Sequence, residues 1–289
     1  TLLFFCIPIV IFAQESGQVR QPATVWDLLL STKYVVGFLL AIIGLLIIWQ
    51  NKLDNKLRIP LLIISFFTFA VYFGLHPSPI CAFTKPFIYG LRTPFLAGII
   101  FIGVLSVVSA KGFCGTICPA GALQELLYRL PILKKMKEKI VPFKISNSIR
   151  VLVSIAFLIV VLTTGITILA YFNLFELFHW NFALSFWDLM IFAIQIIIIL
   201  AASLFLFRPF CYFICPVGLV TWLLENVSLV QMRLNKDKCT DCGNCEEEAP
   251  CPSVADIIKG KKLRADCHLC GMCMNSCPED ALYYGLNKK

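Results

Sequence analysis

Charged positions are absent from five long stretches of this chain, 34–51, 59–75, 93–110, 151–175 and 189–207. Each has about the ~17–25 residues that a bilayer-spanning helix needs. Between them the polar positions alternate in character. Lys52, Lys56 and Arg58 form a basic turn. The segment 76–92 carries prolines, Cys81, Lys85 and Arg92. The segment 111–150 is the most basic, with Arg129, Lys134, Lys135, Lys137, Lys139, Lys144 and Arg150 facing a lone acid, Glu138, after position 128. The segment 176–188 is acidic and aromatic. The positive-inside rule puts 52–58 and 111–150 in the cytoplasm and 76–92 and 176–188 outside. Residues 1–13 are apolar and read either as a signal-peptide core or as the end of a further helix. Residues 14–32, with Trp26 and Asp27, form a polar interfacial connector. The expected fold is an α-helical integral membrane protein of five to six transmembrane helices over 1–228. A C-terminal α+β bacterial-type two-cluster ferredoxin module follows over 229–289, on the cytoplasmic side and βαββαβ-like, with edge strands around Met232–Leu234 and Ala281–Tyr284.

Composition agrees with that pattern. The chain is 59% hydrophobic, and its mean hydropathy of +0.83 exceeds what a soluble domain requires. The net charge of +8 comes from basic residues beside the spans, which argues against a nucleic-acid partner. A transporter would place charged groups inside the spans, and here only isolated polar residues such as Gln195 lie within them.

Fourteen cysteines fall largely into two patterns. Cys239, Cys242, Cys245 and Cys251 form C-x2-C-x2-C-x5-C-P, and Cys267, Cys270, Cys273 and Cys277 form C-x2-C-x2-C-x3-C-P. In such runs three close thiolates cap one cubane and the fourth reaches the other. One [4Fe–4S] cluster is therefore assigned to Cys239, Cys242, Cys245 and Cys277, and the other to Cys267, Cys270, Cys273 and Cys251. Zinc is the competing reading of paired C-x2-C units, but it gains nothing from a third cysteine or from the prolines. The insert 246–250 lengthens the first run's last gap, which reads as a longer loop with all four ligands kept; a weakened or different cluster at that end is the alternative.

The second pattern is a repeat at an offset of 97 residues. KGFCGTICPAGALQELL (111–127) matches RPFCYFICPVGLVTWLL (208–224). Cys114, Cys118, Cys211 and Cys215 thus end two spans at one depth. Cysteines four apart share a face of a helical turn, the following proline suits the first turn of a new surface helix, and the glycine two residues on admits a close backbone approach. Two facing pairs make a four-thiolate box for a third iron–sulfur cluster or a soft metal such as Cu(I). Disulfide exchange and structural thiols are the competing readings.

These features resemble the NapH-type membrane ferredoxin family, related to the membrane portion of NosR, through Phe113–Pro119, Phe210–Pro216 and the tandem ferredoxin runs. The resemblance covers most of the chain from about residue 34. It implies a quinol-linked electron-transfer subunit of the bacterial inner membrane, working with a periplasmic iron–sulfur protein or flavoprotein, or with a reductase. Relatives with the same cysteine pairs act in the assembly of copper enzymes, so a maturation factor using Cys114, Cys118, Cys211 and Cys215 for copper or thiol chemistry is the alternative function. Menaquinol or ubiquinol oxidation needs an apolar slot and a proton acceptor. His76, Glu176, His179 and Asp188 are the candidates for it. His76 and His179 are also the pair available for a bis-His haem, since His268 belongs to the ferredoxin module.

Overall fold

The computed structural model describes residues 24–50, 55–73, 79–90, 92–131, 141–164 and 186–286. The features expected of residues 1–13, of most of the basic loop after 131 and of the acidic loop before 186 lie outside them.

Helix α1, Val25–Leu29, begins in a reciprocal cap between Thr24 and Asp27. Trp26 and Leu30 are both largely exposed there, as an interfacial anchor would be. Helix α2, Thr32–Trp49, follows, and then α3, Asn55–Phe66, which runs on as a π-helical turn, Phe67–Tyr72. Short helices α4, Pro79–Thr84, and α5, Pro86–Tyr89, lead to α6, Thr93–Ser109. A π turn over Phe113–Ile117 joins α6 to α7, Pro119–Arg129. Helices α8, Phe143–Thr164, and α9, Phe186–Phe205, come next, then α10, Pro209–Phe213, and α11, Pro216–Glu225.

Two of these helices are long and apolar enough to cross a membrane, α2 and α8, with mean hydropathies of 2.1 and 2.2. Only 28% and 17% of their spanning windows are buried. Leu39, Ile42, Ile43 and Leu46 on α2 and Leu152, Ile155, Ile159 and Leu162 on α8 face outward. A helix in a soluble core would turn such side chains inward, so these faces are suited to lipid. Helix α6 is apolar but shorter, as is the apolar part of α9 over Ala193–Phe205. The expected second span differs in kind: Pro60 lies inside α3 and its last turn is π-helical. The expected fourth span starts earlier, at Phe143.

The repeat in the sequence is a repeat in space. Helices α3, α6 and α7 form one unit and α8, α9, α10 and α11 the other. Each first helix covers its own motif: α3 packs on the π turn and α7, and α8 packs on α10 and α11. The other contacts are exchanged, since α6 packs on α11 and α9 packs on α7. The helices after the two motifs are therefore not surface helices as expected. Each buries one face, through Gln124 and Glu125 on α7 and Thr221, Trp222 and Glu225 on α11.

Strand β1, Val230–Leu234, pairs antiparallel with β2, Leu282–Leu286, Val230 opposite Leu286. Between them lie short helices α12, Asn244–Glu248, α13, Ser253–Ile258, and α14, Met272–Asn275. The βαββαβ expectation needs correction, because among the described residues the module has this one two-stranded sheet. The segment that would form the middle hairpin spends its hydrogen bonds elsewhere. Arg264 O accepts from Trp222 Nε1 (2.7 Å), Ala265 N–H donates to Asp256 (2.9 Å), and Cys267 N–H donates to Glu225 (3.3 Å).

Candidate metal centre

Both C-x3-C turns are wider than the α-helical turn that their spacing predicts. The Cys118 N–H donates to Phe113 O (3.0 Å), and the Cys215 N–H donates to Phe210 O (2.9 Å), each closing a five-residue loop. Cys118 and Cys215 then leave the turn in extended conformation as N-caps, with Pro119 and Pro216 opening α7 and α11. Proline costs nothing there because that N–H has no helical partner. Gly121 and Gly218 allow the folding back: a Cβ on Gly121 would meet Cys114 O at 3.0 Å, and one on Gly218 would meet Cys211 O at 2.9 Å.

The exchanged packing brings all four of these cysteines into one buried box. Burial pushes Cys118 well above its ordinary value, with Cys114, Cys211 and Cys215 close enough to push it further. Burial likewise raises Cys211 to about 11 and Cys215 to about 12. As free thiols they would stay protonated, so an electropositive partner is needed to make them thiolates.

Two buried ion networks flank the box, and the sequence reading missed both. Glu125 accepts from Arg58 (2.9 and 2.8 Å), from Arg208 and from Arg129 (2.8 Å). Asp266 accepts from Lys111 and from Arg150 (2.6 Å). Arg58, Lys111, Arg150, Arg208, Glu125 and Asp266 are wholly buried. Burial alone would raise Glu125, but the three guanidiniums hold it well below the usual carboxylate range. The pattern follows the repeat, because Lys111 and Arg208 are equivalent positions. Each shares a carboxylate with the arginine on the other unit's first helix. Where the first repeat has Glu125, the second has Trp222, and the ferredoxin module supplies Asp266 instead. Arg58 and Arg150 read in the sequence only as charges at the ends of spans, and Lys111 and Arg208 only as the first residues of the repeat. A usable signal was the basic residue that opens both copies of the repeat.

The networks also reach the cysteine backbones. Arg208 Nη1 donates to Cys114 O (2.6 Å), Arg150 Nη1 to Cys211 O (3.2 Å), and Arg129 Nη2 to Cys270 O (3.1 Å). Five basic side chains face two carboxylates. Glu225, nearby, is pushed up to about 8 by burial against the pull of Lys111.

The two ferredoxin runs adopt one backbone. Asp241 and Leu269, each just before the second cysteine, have φ of 52° and 53°, and Gly243 and Gly271, each just after it, have 80° and 76°. Cys239, Cys242, Cys245 and Cys277 line a cavity of about 90 Å³. Cys251, Cys267, Cys270 and Cys273 line another with His268 and Leu269. Burial raises Cys251 far above its ordinary value, and Cys270, Cys267 and Cys273 add to it. Cys242 of the first group is exposed, whereas every member of the second is buried.

The box and the second group meet. A Cβ on Gly115 would lie 2.9 Å from His268 O, so the backbone beside Cys114 touches the backbone beside Cys267. His268 is buried against the rings of Tyr212 (4.9 Å) and Phe207 (6.1 Å). Burial and the surrounding cations hold it well below its ordinary value, in the neutral form. Tyr212 Oη donates to Asp266 O (3.2 Å) on the same contact.

The quinol and haem candidates His76, Glu176 and His179 lie outside the described residues, and only the backbone of Asp188 is described, in α9. Cys81 is on α4. Gln195 has a buried Oε1 with no hydrogen-bond partner among the described residues. No three His, Cys, Asp or Glu side chains among the described residues converge as a single metal ion would require. Grouped thiols without that convergence suit a polynuclear group better than a mononuclear one.

A family described as "4Fe-4S binding domain" matches residues 91–139 and again 187–236, one match for each repeat. A second family of that description matches 263–283. The chain is 31% identical over 209 residues to the uncharacterized protein MJ0749 of Methanocaldococcus jannaschii, covering 71% of this chain and 77% of the relative. It is 28% identical over 194 residues to the putative electron transport protein YccM of Escherichia coli K12, 64% of this chain and 54% of that one. With the ferredoxin-type protein NapH of Haemophilus influenzae it shares 25% over 186 residues, 60% and 62% of the two chains. No solved structure matches.

Proposed function

The chain belongs to the NapH-like family of membrane ferredoxins, an electron-transport protein with 4Fe–4S binding domains, and from that premise we propose that it is a three-centre electron conduit. In this reading Cys114, Cys118, Cys211 and Cys215 hold one [4Fe–4S] cluster shared between the two repeats. Cys251, Cys267, Cys270 and Cys273 hold a second, and Cys239, Cys242, Cys245 and Cys277 a third. When bound, each supplies a one-electron carrier whose potential is set by its surroundings.

The chain's own residues determine the rest. The donor set fits: four buried thiols in the box need a cationic environment to ionise, and a tetrathiolate cluster is anionic. Arg58, Lys111, Arg129, Arg150 and Arg208 supply more positive charge than Glu125 and Asp266 balance. Phe113, Phe210 and Ile117 pack around the box and exclude water. Asp266 and Arg129 fasten the ferredoxin module onto it. The exposed Cys242 makes the outermost site the place of exchange with a redox partner subunit.

The starts of α3 and α8 and the ends of α6 and α9 meet at the box through Arg58, Arg150, Lys111 and Arg208. That arrangement supports a multi-pass topology with the basic end and the module in the cytoplasm. Quinol, which gives up two electrons and two protons, is the proposed reductant or product at the opposite end, near His76, Glu176, His179 and Asp188.

The observation that carries this function is the backbone contact of Gly115 with His268, which leaves no gap between the box and the ferredoxin sites. Menaquinol added to protein in lipid nanodiscs should bleach the visible iron–sulfur absorbance. A variant with all four box cysteines changed to serine should respond to dithionite and not to menaquinol. Equal menaquinol reduction of both proteins would refute the conduit.

A further inference from the structure

Gln124 and Thr221 stand 97 residues apart, as the motif cysteines do, and occupy the same position in the two repeats. Both are wholly buried. Each reaches across to the first cysteine of the other repeat. Gln124 Nε2 lies 3.8 Å from Cys211 Sγ, and Thr221 Oγ1 lies 3.8 Å from Cys114 Sγ.

The surroundings decide which way each group points. The Phe210 N–H donates to Gln124 Oε1 (2.9 Å). A backbone N–H can only donate, so the carbonyl end of the amide belongs there and the NH2 end faces the sulfur. One of its hydrogens goes to Ala120 O (2.9 Å), and the other is left for Cys211. Thr221 has a single hydroxyl hydrogen, with Gly218 O (3.2 Å) as the competing acceptor. Lys111 Nζ already donates to that carbonyl (3.2 Å). Once Cys114 is a thiolate it can only accept, and the Thr221 proton can turn to it without leaving Gly218 unpaired.

The second cysteine of each motif is served differently. Cys118 takes the Gly121 backbone N–H, and Cys215 takes those of Gly218 and Val217. Those donors belong to the helix N-termini and are unaffected by side-chain identity. Gln124 and Thr221 are side-chain donors that sequence change can add or remove.

We propose that Gln124 and Thr221 are positioning residues that set the reduction potential of the group held in the box, each by one hydrogen bond to a ligand sulfur from the opposite repeat. The inference rests on the reading that Cys114, Cys118, Cys211 and Cys215 bind a [4Fe–4S] cluster. Reduction adds negative charge to the ligand sulfurs, and a hydrogen bond to them favours the reduced form. Removing a donor therefore lowers the potential.

The test is a redox titration, followed by electron paramagnetic resonance, of detergent-purified holoprotein and of Thr221→Val, Thr221→Ser and Gln124→Met, with iron counted in each. The box signal is the one missing from the variant with its four cysteines replaced by serine. Thr221→Val preserves shape and removes the hydroxyl. It should shift the redox equilibrium of the box signal about tenfold toward the oxidised form, about 59 mV lower for one electron. Thr221→Ser should stay at the wild-type potential, and Gln124→Met should also move down. With iron unchanged, an unshifted Thr221→Val, or equal shifts in Thr221→Val and Thr221→Ser, would overturn the assignment and leave these residues as packing. If wild type and the four-serine variant hold the same iron, the cluster reading fails and this inference with it. The iron count separates the two failures.

Discussion

Glu125 makes the sharpest energetic prediction. Its carboxylate, wholly buried, is the shared acceptor for Arg58, Arg129 and Arg208 through five hydrogen bonds. Glu125→Gln keeps the shape, removes the charge and turns an NH2 group toward guanidiniums that can only donate. Breaking a buried ion pair from one side costs roughly 3–5 kcal/mol, because the partner charge is left uncompensated. The amide oxygen still accepts one bond, worth about 1 kcal/mol, so the expected loss is about 2–4 kcal/mol. For a chain of this size that is an apparent Tm lowered by about 3–7 °C. Thermal unfolding in detergent measures it, with Lys261→Ala as the control. That residue forms the exposed pair with Asp256, and its loss should cost less than about 1 kcal/mol. The pH dependence fixes the mechanism. The folded pKa of Glu125 is depressed below its ordinary 4.5, so its contribution is present in full above that value and is lost as pH falls through the folded pKa. The deficit of Glu125→Gln should be constant near neutrality and shrink on acidification below about 4.5. A Tm within about 1 °C of wild type, like the control, would refute the reasoning.

Three further outcomes follow from the same geometry. Asp266→Asn removes the counter-charge of Lys111 and Arg150 and loosens the ferredoxin module; proteolysis of the connection to β1 should accelerate at least about tenfold, the equivalent of about 1.4 kcal/mol. Gly115→Val puts a side chain against His268 O and should slow electron exchange between the box and the ferredoxin sites at unchanged iron content, as stopped-flow spectroscopy would record. Gly121→Ala places a Cβ 2.9 Å from Arg208 Nη1 and 3.0 Å from Cys114 O, and should lower both Tm and box iron together, which a melt and an iron assay on one preparation would test.

Much of this site was readable before any coordinates, for a physical reason. Cysteine ligands are local in sequence, so the spacing of Cys267, Cys270 and Cys273 and the offset between Cys114 and Cys211 carry their grouping directly. The long apolar stretches show in the same way, although Pro60 and the π turns leave no periodicity that distinguishes them from a regular helix. The ion networks were not legible because they are products of the exchange between repeats. Glu125 reads as an ordinary helical acid, and Asp266 as a loop acid beside a ligand. Apart from Arg129, four residues from Glu125, their partners lie 67, 83, 116 and 155 residues away. The middle hairpin of the ferredoxin module failed for a related reason: residues 264–267 bond to Trp222 and Glu225 instead of to a strand. Gln124 and Thr221 were within reach, since the offset of 97 that aligned the cysteines aligns them too.

The central claim is that the two repeats share one cluster. It is tested most directly by counting iron and acid-labile sulfide in purified protein, beside the variant with Cys114, Cys118, Cys211 and Cys215 changed to serine. Three four-iron sites predict about twelve irons per chain, falling to about eight in the variant; about eight in both would contradict the account.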